Sequence, residues 1–139
     1  MEIRKVETDK KRYLDLLLLA DEQEDMVDRY LECGTMYVLE DGGVKAECVV
    51  TDEGDGILEL KNIAVAPDFQ GRGYGKAMVA FLVQTYTEQH TVLQVGTGDS
   101  SSTIPFYESC GFRRHHLVKK FFTDHYDHPI YEGGVQLVE

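Results

Sequence analysis

Tryptophan is absent from this 139-residue chain, and proline and cysteine are scarce, at three each. The cysteines, Cys33, Cys48 and Cys110, are odd in number and contain no Cys-x-x-Cys pair, which argues against a disulfide framework and for a reducing compartment. Basic residues are also short: 14 Lys and Arg stand against 25 Asp and Glu, a net charge of −11. Such a surface repels phosphate backbones, so nucleic acid is a poor partner and cationic ligands are favoured, although the same acidity also serves solubility. No long hydrophobic run is present. Leu14 to Ala20 is the most apolar stretch, but it is too short to span a bilayer and follows charged residues without a cleavage-like site. The expectation is a soluble, cytoplasmic protein with no membrane partner. Repeats, low-complexity stretches and linkers are lacking too, since the polar runs Asp52 to Gly56 and Thr97 to Thr103 are of loop length. One domain over residues 1–139, with one core and a cleft, is expected.

What is present is concentrated between residues 58 and 82, which read as a strand, a glycine-rich turn and the start of a helix. Gly71, Gly73 and Gly75 let the backbone turn with no side chain between it and a ligand, so successive amide N–H groups can converge on an anion at a positive helix end. The spacing is neither that of a dinucleotide fingerprint nor that of a P-loop, because Lys76 is not followed by a hydroxyl residue. A tight strand-to-helix turn with no ligand would show the same glycines. In the preceding strand Leu58 and Leu60 are apolar on even positions and Ile63 and Val65 on odd ones, so the inward face is expected to change parity around Lys61 and Asn62, as at a β-bulge. A bulge would leave backbone groups of Ile63, Ala64 and Val65 free to pair with an extended amide-containing ligand such as a pantetheine arm; the alternative is a kink between two short strands.

The run Ile63-Ala64-Val65-Ala66-Pro67 followed by Gln70-Gly71-Arg72-Gly73-Tyr74-Gly75 resembles the main motif of the GNAT superfamily of N-acetyltransferases. A second motif, Phe106-Tyr107-Glu108-Ser109-Cys110-Gly111-Phe112, is similar to the one that closes the cofactor site in that family. The resemblance implies acetyl-CoA as cofactor, with Ile63, Ala64 and Val65 along its pantetheine, Gln70, Gly71, Arg72, Gly73, Tyr74, Gly75 and Lys76 around its pyrophosphate, and the Val65 N–H on the thioester carbonyl. Where many relatives have an asparagine on the pantetheine arm this chain has Ser100, between Asp99 and Ser101; serine still donates and accepts, with shorter reach.

The coarse order of elements agrees with that family's fold. Strands are expected at Glu2 to Glu7, Thr35 to Glu40, Val44 to Thr51, Gly56 to Ala66, Thr91 to Val95, Phe112 to Lys119 and Val135 to Val138. Helices are expected at Asp9 to Ala20, capped by Thr8 or Asp9, at Glu22 to Cys33, stopped by Gly34, at Arg72 to Gln89 and at Ser101 to Cys110. Asp41-Gly42-Gly43 is a hairpin signal. The fold class is α/β (α+β): a mixed, mostly antiparallel, twisted sheet of about six or seven strands with helices on both faces and a bulged, splayed central strand.

Acetyl transfer to an amine needs an acceptor for the ammonium proton, a donor for the leaving thiolate and N–H groups for the developing oxyanion. The resemblance gives the donor role to Tyr107, whose ring would otherwise only fill space, and the acceptor role to Glu59, whose alternative is an exposed strand carboxylate. Asp124, His125 and Asp127 are reserves for the base. The stretch from His115 to His128 holds four histidines, but His115 and His116 would point to opposite faces of a strand and no pair has helical i, i+4 spacing, so no metal is expected. Phe121, Phe122, Tyr126 and Tyr131 either wall an acceptor pocket or tuck a loop onto the core. The acceptor itself, a small-molecule or peptide amine, is not specified by these residues. A homodimer is compatible with the short last strand, and a non-catalytic acyl-CoA-binding or sensing module is the alternative function.

Overall fold

In the computed structural model, which describes residues 1–21, 23–95, 103–112, 114–115, 118–121 and 136–137, the expected alternation of strands and helices is realised with shifted ends. Backbone contacts divide the chain into two compact units, Met1–Thr51 with Lys61–Phe81 and Asp52–Leu60 with Leu82–Glu139.

In the first unit β1 (Glu2–Val6) pairs antiparallel with β2 (Thr35–Glu40), and β2 antiparallel with β3 (Val44–Gly54). The β2–β3 hairpin turns at Asp41-Gly42-Gly43, where the two glycines take φ values of 70° and 114°, a region closed to most side chains. The unbroken apolar run of β2 is explained by cover on both of its faces. Met36 and Val38 pack in one cluster with Leu17, Val27, Tyr30 and Leu31, whereas Tyr37 on the other face meets the ring of Phe81 at 4.9 Å. Leu17, Val27, Tyr30 and Leu31 come from α1 (Leu14–Ala20) and α2 (Glu24–Leu31), which lie on that face, and Phe81 from α3 (Tyr74–Tyr86). Burying each large apolar side chain of this cluster stabilises the fold by about 1.5–3 kcal/mol.

The helix expected from Asp9 begins instead as a 3-10 turn over Lys10–Tyr13. Asp9 sits at φ 53° in the left-handed region and its side chain caps nothing, so the polar residue serves as a turn former rather than as a cap. Helix α2 ends at Leu31, two residues short of the expected Cys33, and the glycine that follows at 34 is not there for the conformational reason that usually selects glycine. A Cβ at Gly34 would stand 2.7 Å from the Tyr30 carbonyl oxygen, 2.8 Å from a Val49 methyl and 3.0 Å from the Val50 carbonyl oxygen; close approach of backbones excludes any side chain. The Lys10 ammonium donates to the carbonyls of Leu31 and Gly34 at 2.8 Å each, supplying positive charge to the helix C-terminus.

In the second unit the start of β4 (Ile57–Val65) lies parallel to β5 (Val92–Val95), which pairs antiparallel with β7 (Val118–Phe121). β7 runs parallel to β8 (Gln136–Leu137), and β8 antiparallel to β6 (Arg114–His115). The single strand expected over Phe112 to Lys119 is thus two, and eight strands stand among the described residues. The last helix, α4 (Thr103–Ser109), ends in a turn in which the Phe112 N–H reaches the Tyr107 carbonyl at 3.1 Å. Antiparallel and parallel pairings coexist among the described residues, as a mixed sheet requires. Among the described residues no helix is long and apolar enough to cross a membrane.

β4 shows one departure from the parity expected of it. Its buried positions are Leu58, Leu60, Asn62 and Ala64, all even, while Ile63 and Val65 are only half-buried. Counting apolar residues misled because the inward position 62 holds a polar side chain whose hydrogen bonds are made internally. The Asn62 amide donates to the Leu17 carbonyl at 3.0 Å and to the Tyr30 hydroxyl at 2.9 Å.

Candidate active site

Helix α3 begins directly after the glycine turn, and its first i→i−4 bond runs from the Ala77 N–H to the Gly73 carbonyl at 3.0 Å. The N–H groups of Gly73, Tyr74, Gly75 and Lys76 therefore precede the ladder of a 13-residue helix and face outward from its positive end. Gly71 and Gly73 take φ values of 80° and 90°, and a Cβ on either would meet nothing within 4 Å. The glycines serve the backbone conformation, and the space beside Gly71 and Gly73 is open. Unladdered N–H groups at a helix N-terminus are complementary to an anion such as a pyrophosphate. Gly75 is different: it is buried in the first helical turn and is not needed for a left-handed φ.

Side chains around the turn are mostly engaged in shaping it. Gln70 donates to the Val65 carbonyl at 3.1 Å and so ties the turn to the end of β4. Arg72 and Lys45 both lie over the Phe69 ring, 5.2 Å and 3.9 Å from its centre, so cationic charge is fixed beside the loop by the aromatic face. Lys76 is exposed. The Tyr74 hydroxyl donates to Asp41 at 2.7 Å, and that carboxylate raises the phenol above its ordinary value. Ile63, Ala64 and Val65 form the end of β4, beyond the reach of its parallel ladder with β5, which covers Ile57 to Leu60 against Val92 to Val95.

Glu59 and Tyr107, the two side chains expected to move protons, both belong to the second unit. Glu59 is half-buried, in register with Gln94 on β5, and accepts a hydrogen bond from the Gln94 amide at 2.6 Å. Gln94 is itself buried at 6 % exposure, so the carboxylate is oriented by a neighbour that cannot swing into solvent. Tyr107 is buried on α4, between the rings of Phe106 and Phe112 at 5.2 Å and 5.5 Å in edge-on contacts. The aromatic neighbours fix the ring plane, which a proton donor needs and a space-filling ring also shows.

Ser100, Asp99 and Ser101, the reserves Asp124, His125 and Asp127, and His116, His128, Phe122, Tyr126 and Tyr131 lie outside the described residues. The histidine-rich stretch read as metal-free therefore falls mostly outside them as well. Sequence reading missed Asp41, Lys45 and Gln94 as neighbours of the site, which bond Tyr74, flank the turn over Phe69 and bond Glu59 respectively.

Comparison with known proteins identifies the family. The family model of the acetyltransferase (GNAT) domain matches residues 32–114. The N-acetyltransferase YvbK of Bacillus subtilis (strain 168) is 38% identical over 133 residues, which are 94% of this chain and 85% of that protein. The crystal structure of a GNAT family acetyltransferase from Elizabethkingia anophelis with acetyl-CoA bound superposes with a TM-score of 0.76 at 30% identity, over 99% of this chain and 92% of that one. A Bacillus subtilis acetyltransferase in complex with CoA gives a TM-score of 0.74 at 34% identity, over 98% and 91% of the two chains.

Proposed function

The chain belongs to the GNAT family of acetyltransferases, and from that premise we propose how its residues divide the work of moving an acetyl group from acetyl-CoA to a primary amine. The observation that carries the proposal is the open turn at Gly71 and Gly73 in front of the unladdered amides of α3. On this reading Gly71, Gly73, Tyr74 and Gly75 bind the pyrophosphate through backbone N–H groups, Arg72 and Lys76 add charge, and Gln70 holds the turn against β4. Ile63, Ala64 and Val65 pair with the pantetheine, and Ser100 contacts the same arm.

Bound acetyl-CoA supplies an electrophilic thioester carbonyl. The Val65 N–H polarises that carbonyl, Glu59 takes the ammonium proton through a water, and Tyr107 returns a proton to the departing sulfur. The new C–N bond forms as the C–S bond breaks, with no covalent enzyme adduct. The enzyme is read as a single domain acting in the cytoplasm on a small-molecule or peptide amine, without nucleic-acid or membrane partners. A second copy of the chain is its proposed assembly partner, and sedimentation showing only monomer at high concentration would remove that part.

The test is thermal unfolding with acetyl-CoA, CoA, ATP or NAD. A ligand at a hundredfold excess over its Kd adds about 2.7 kcal/mol, a shift of several degrees. Midpoints raised by acetyl-CoA and CoA alone support the reading, and no response to either overturns it. Tyr107→Phe then separates an enzyme from an acyl-CoA-binding module: CoA binding persists in both cases, but transfer falls at least about tenfold only if Tyr107 is the proton donor of an enzyme.

A further inference from the structure

The glycine turn before α3 has little of its own to hold its shape. Gly71 and Gly73 take φ values of 80° and 90°, and a Cβ on either would meet nothing within 4 Å, so no packing at those positions fixes them. Glycine also gives up more backbone freedom than any other residue when it is ordered. Amides that turn independently of one another lose the convergence that binds an anion, so affinity depends on bracing from outside the turn. Three contacts link the segment around it to the β2–β3 hairpin, all within the first unit. The Ala66 N–H donates to the Lys45 carbonyl at 2.8 Å, the Lys45 ammonium lies 3.9 Å from the centre of the Phe69 ring, and the Tyr74 hydroxyl donates to Asp41 at 2.7 Å across 33 positions of sequence.

These contacts bracket the glycines. Phe69 stands immediately before the stretch Gln70-Gly71-Arg72-Gly73 and Tyr74 immediately after it, and both are tied to residues 41–45. That piece of hairpin is closed on itself: the Asp41 N–H donates to the Gly43 carbonyl at 2.9 Å, and the Lys45 ammonium donates to the Gly42 carbonyl at 3.2 Å. Pinning both ends of so short a turn to one support removes much of the glycines' freedom before a ligand arrives, and less ordering is left for binding to offset.

Asp41 is the informative member of the set, because a carboxylate beside a phosphate-binding turn repels the ligand. One of its oxygens stands 3.9 Å from the Met1 amino group, beyond hydrogen-bond reach, and the other holds the Tyr74 hydroxyl. A charged acceptor makes a shorter and stronger bond to a hydroxyl than a neutral one does. The same carboxylate raises the Tyr74 phenol above its ordinary value, so the donor keeps its proton through neutral pH. We propose that Asp41 is a positioning residue for cofactor binding: through the Tyr74 hydroxyl it fixes the first turn of α3 to the β2–β3 hairpin and so holds the amides between Gly71 and Lys76 in their anion-binding arrangement. The proposal rests on the acetyltransferase reading above and adds to it a residue outside both sequence motifs.

The experiment compares Asp41→Asn with Asp41→Ala. Both remove the charge, so repulsion of the phosphates falls equally in the two, but only asparagine keeps an oxygen that accepts from Tyr74. CoA affinity by calorimetry is expected to be at least about fivefold weaker in Asp41→Ala than in Asp41→Asn, about the worth of one hydrogen bond. Tyr74→Phe keeps the backbone N–H and is expected to weaken CoA binding as Asp41→Ala does; with phenylalanine at 74, asparagine and alanine at 41 should bind CoA alike. In the CoA-free proteins the NMR order parameters of the Gly71 and Gly73 amides should be those of rigid backbone in wild type and Asp41→Asn and fall below about 0.6 in Asp41→Ala. Equal affinity of the two Asp41 variants, a difference between them that persists with Tyr74→Phe, or amides equally rigid in Asp41→Ala overturns the proposal, even where the variants differ in unfolding temperature. CoA binding to the wild type tests the reading beneath: its absence refutes the acetyltransferase reading and the proposal with it, whereas its presence with equal affinity in both Asp41 variants refutes the positioning role alone.

Discussion

Replacing Glu47 by glutamine should make the protein more stable, by a margin that grows with pH. Both carboxylate oxygens are buried without partners, and each unsatisfied buried acceptor costs about 1–3 kcal/mol. Burial raises the folded carboxyl well above its ordinary value, so the folded state holds a proton that the unfolded chain releases. Below the unfolded value both states are protonated, and the stability linked to this group is fully present. As pH rises past that value, unfolding releases a proton, and the wild type loses stability by up to about 1.4 kcal/mol per pH unit until the folded carboxyl itself titrates. Glutamine has no such loss. Asp52, whose folded value is lowered chiefly by its bond from the Gly54 N–H, acts with the opposite sign, but it is present in both proteins and cancels in the difference. Cys48 and Tyr30 are both raised and enter only at more alkaline pH. Urea unfolding of the two proteins, followed by far-UV circular dichroism between about pH 4 and pH 7.5, gives the difference directly. A difference that does not change with pH, or a glutamine variant less stable at neutral pH, would refute the claim that this carboxyl is buried and unpartnered.

Gly34→Ala should destabilise the protein by about 2 kcal/mol or more, because two of the three atoms its Cβ would strike are backbone carbonyl oxygens that cannot turn aside; a cost under half of that in urea unfolding would mean that α2 and β3 separate easily. Gly73→Ala meets open space, so its cost is the left-handed φ of 90°, about 1 kcal/mol, whereas CoA affinity by calorimetry should fall by at least about tenfold as the amides turn away. Unchanged affinity would detach the turn from the cofactor. Gln94→Leu removes the donor 2.6 Å from Glu59, and with it the bond that orients this carboxylate, so kcat should fall about tenfold while CoA affinity is kept. An unchanged kcat places the base elsewhere.

What the sequence disclosed was whatever the backbone alone decides. The glycine turn, the hairpin at Gly42 and Gly43 and the start of α3 depend on local φ values and on the order of residues, so spacing was enough to find them. What it concealed depends on register between distant strands. Glu47 reads as one polar residue in an apolar run until β2 pairing sets it opposite Val38, and Asn62 disturbed the parity count because an amide whose N–H groups are bonded internally can occupy an inward position. Gln94 could not be tied to Glu59 before the parallel ladder put them side by side, 35 residues apart in the chain. Asp9 shows the converse error: a capping residue type in a capping place, turned by its left-handed φ to another use.

A chain with a net charge of −11 that binds a polyanion must attract it locally, and on the proposed reading it does so at the turn before α3. The overall charge acts at long range, where solution ions screen it within about 8 Å, so it neither forbids the phosphates nor holds the amine. At the turn the attraction comes from N–H dipoles of α3, which no carboxylate elsewhere can neutralise, and from cations pinned over Phe69. Asp41, the acidic residue bonded to Tyr74 at the start of that helix, is occupied by the Tyr74 hydroxyl. On the face covered by α1 and α2 burial holds the Glu47 carboxyl in its neutral form, so the acidity of the surface does not continue into the core there.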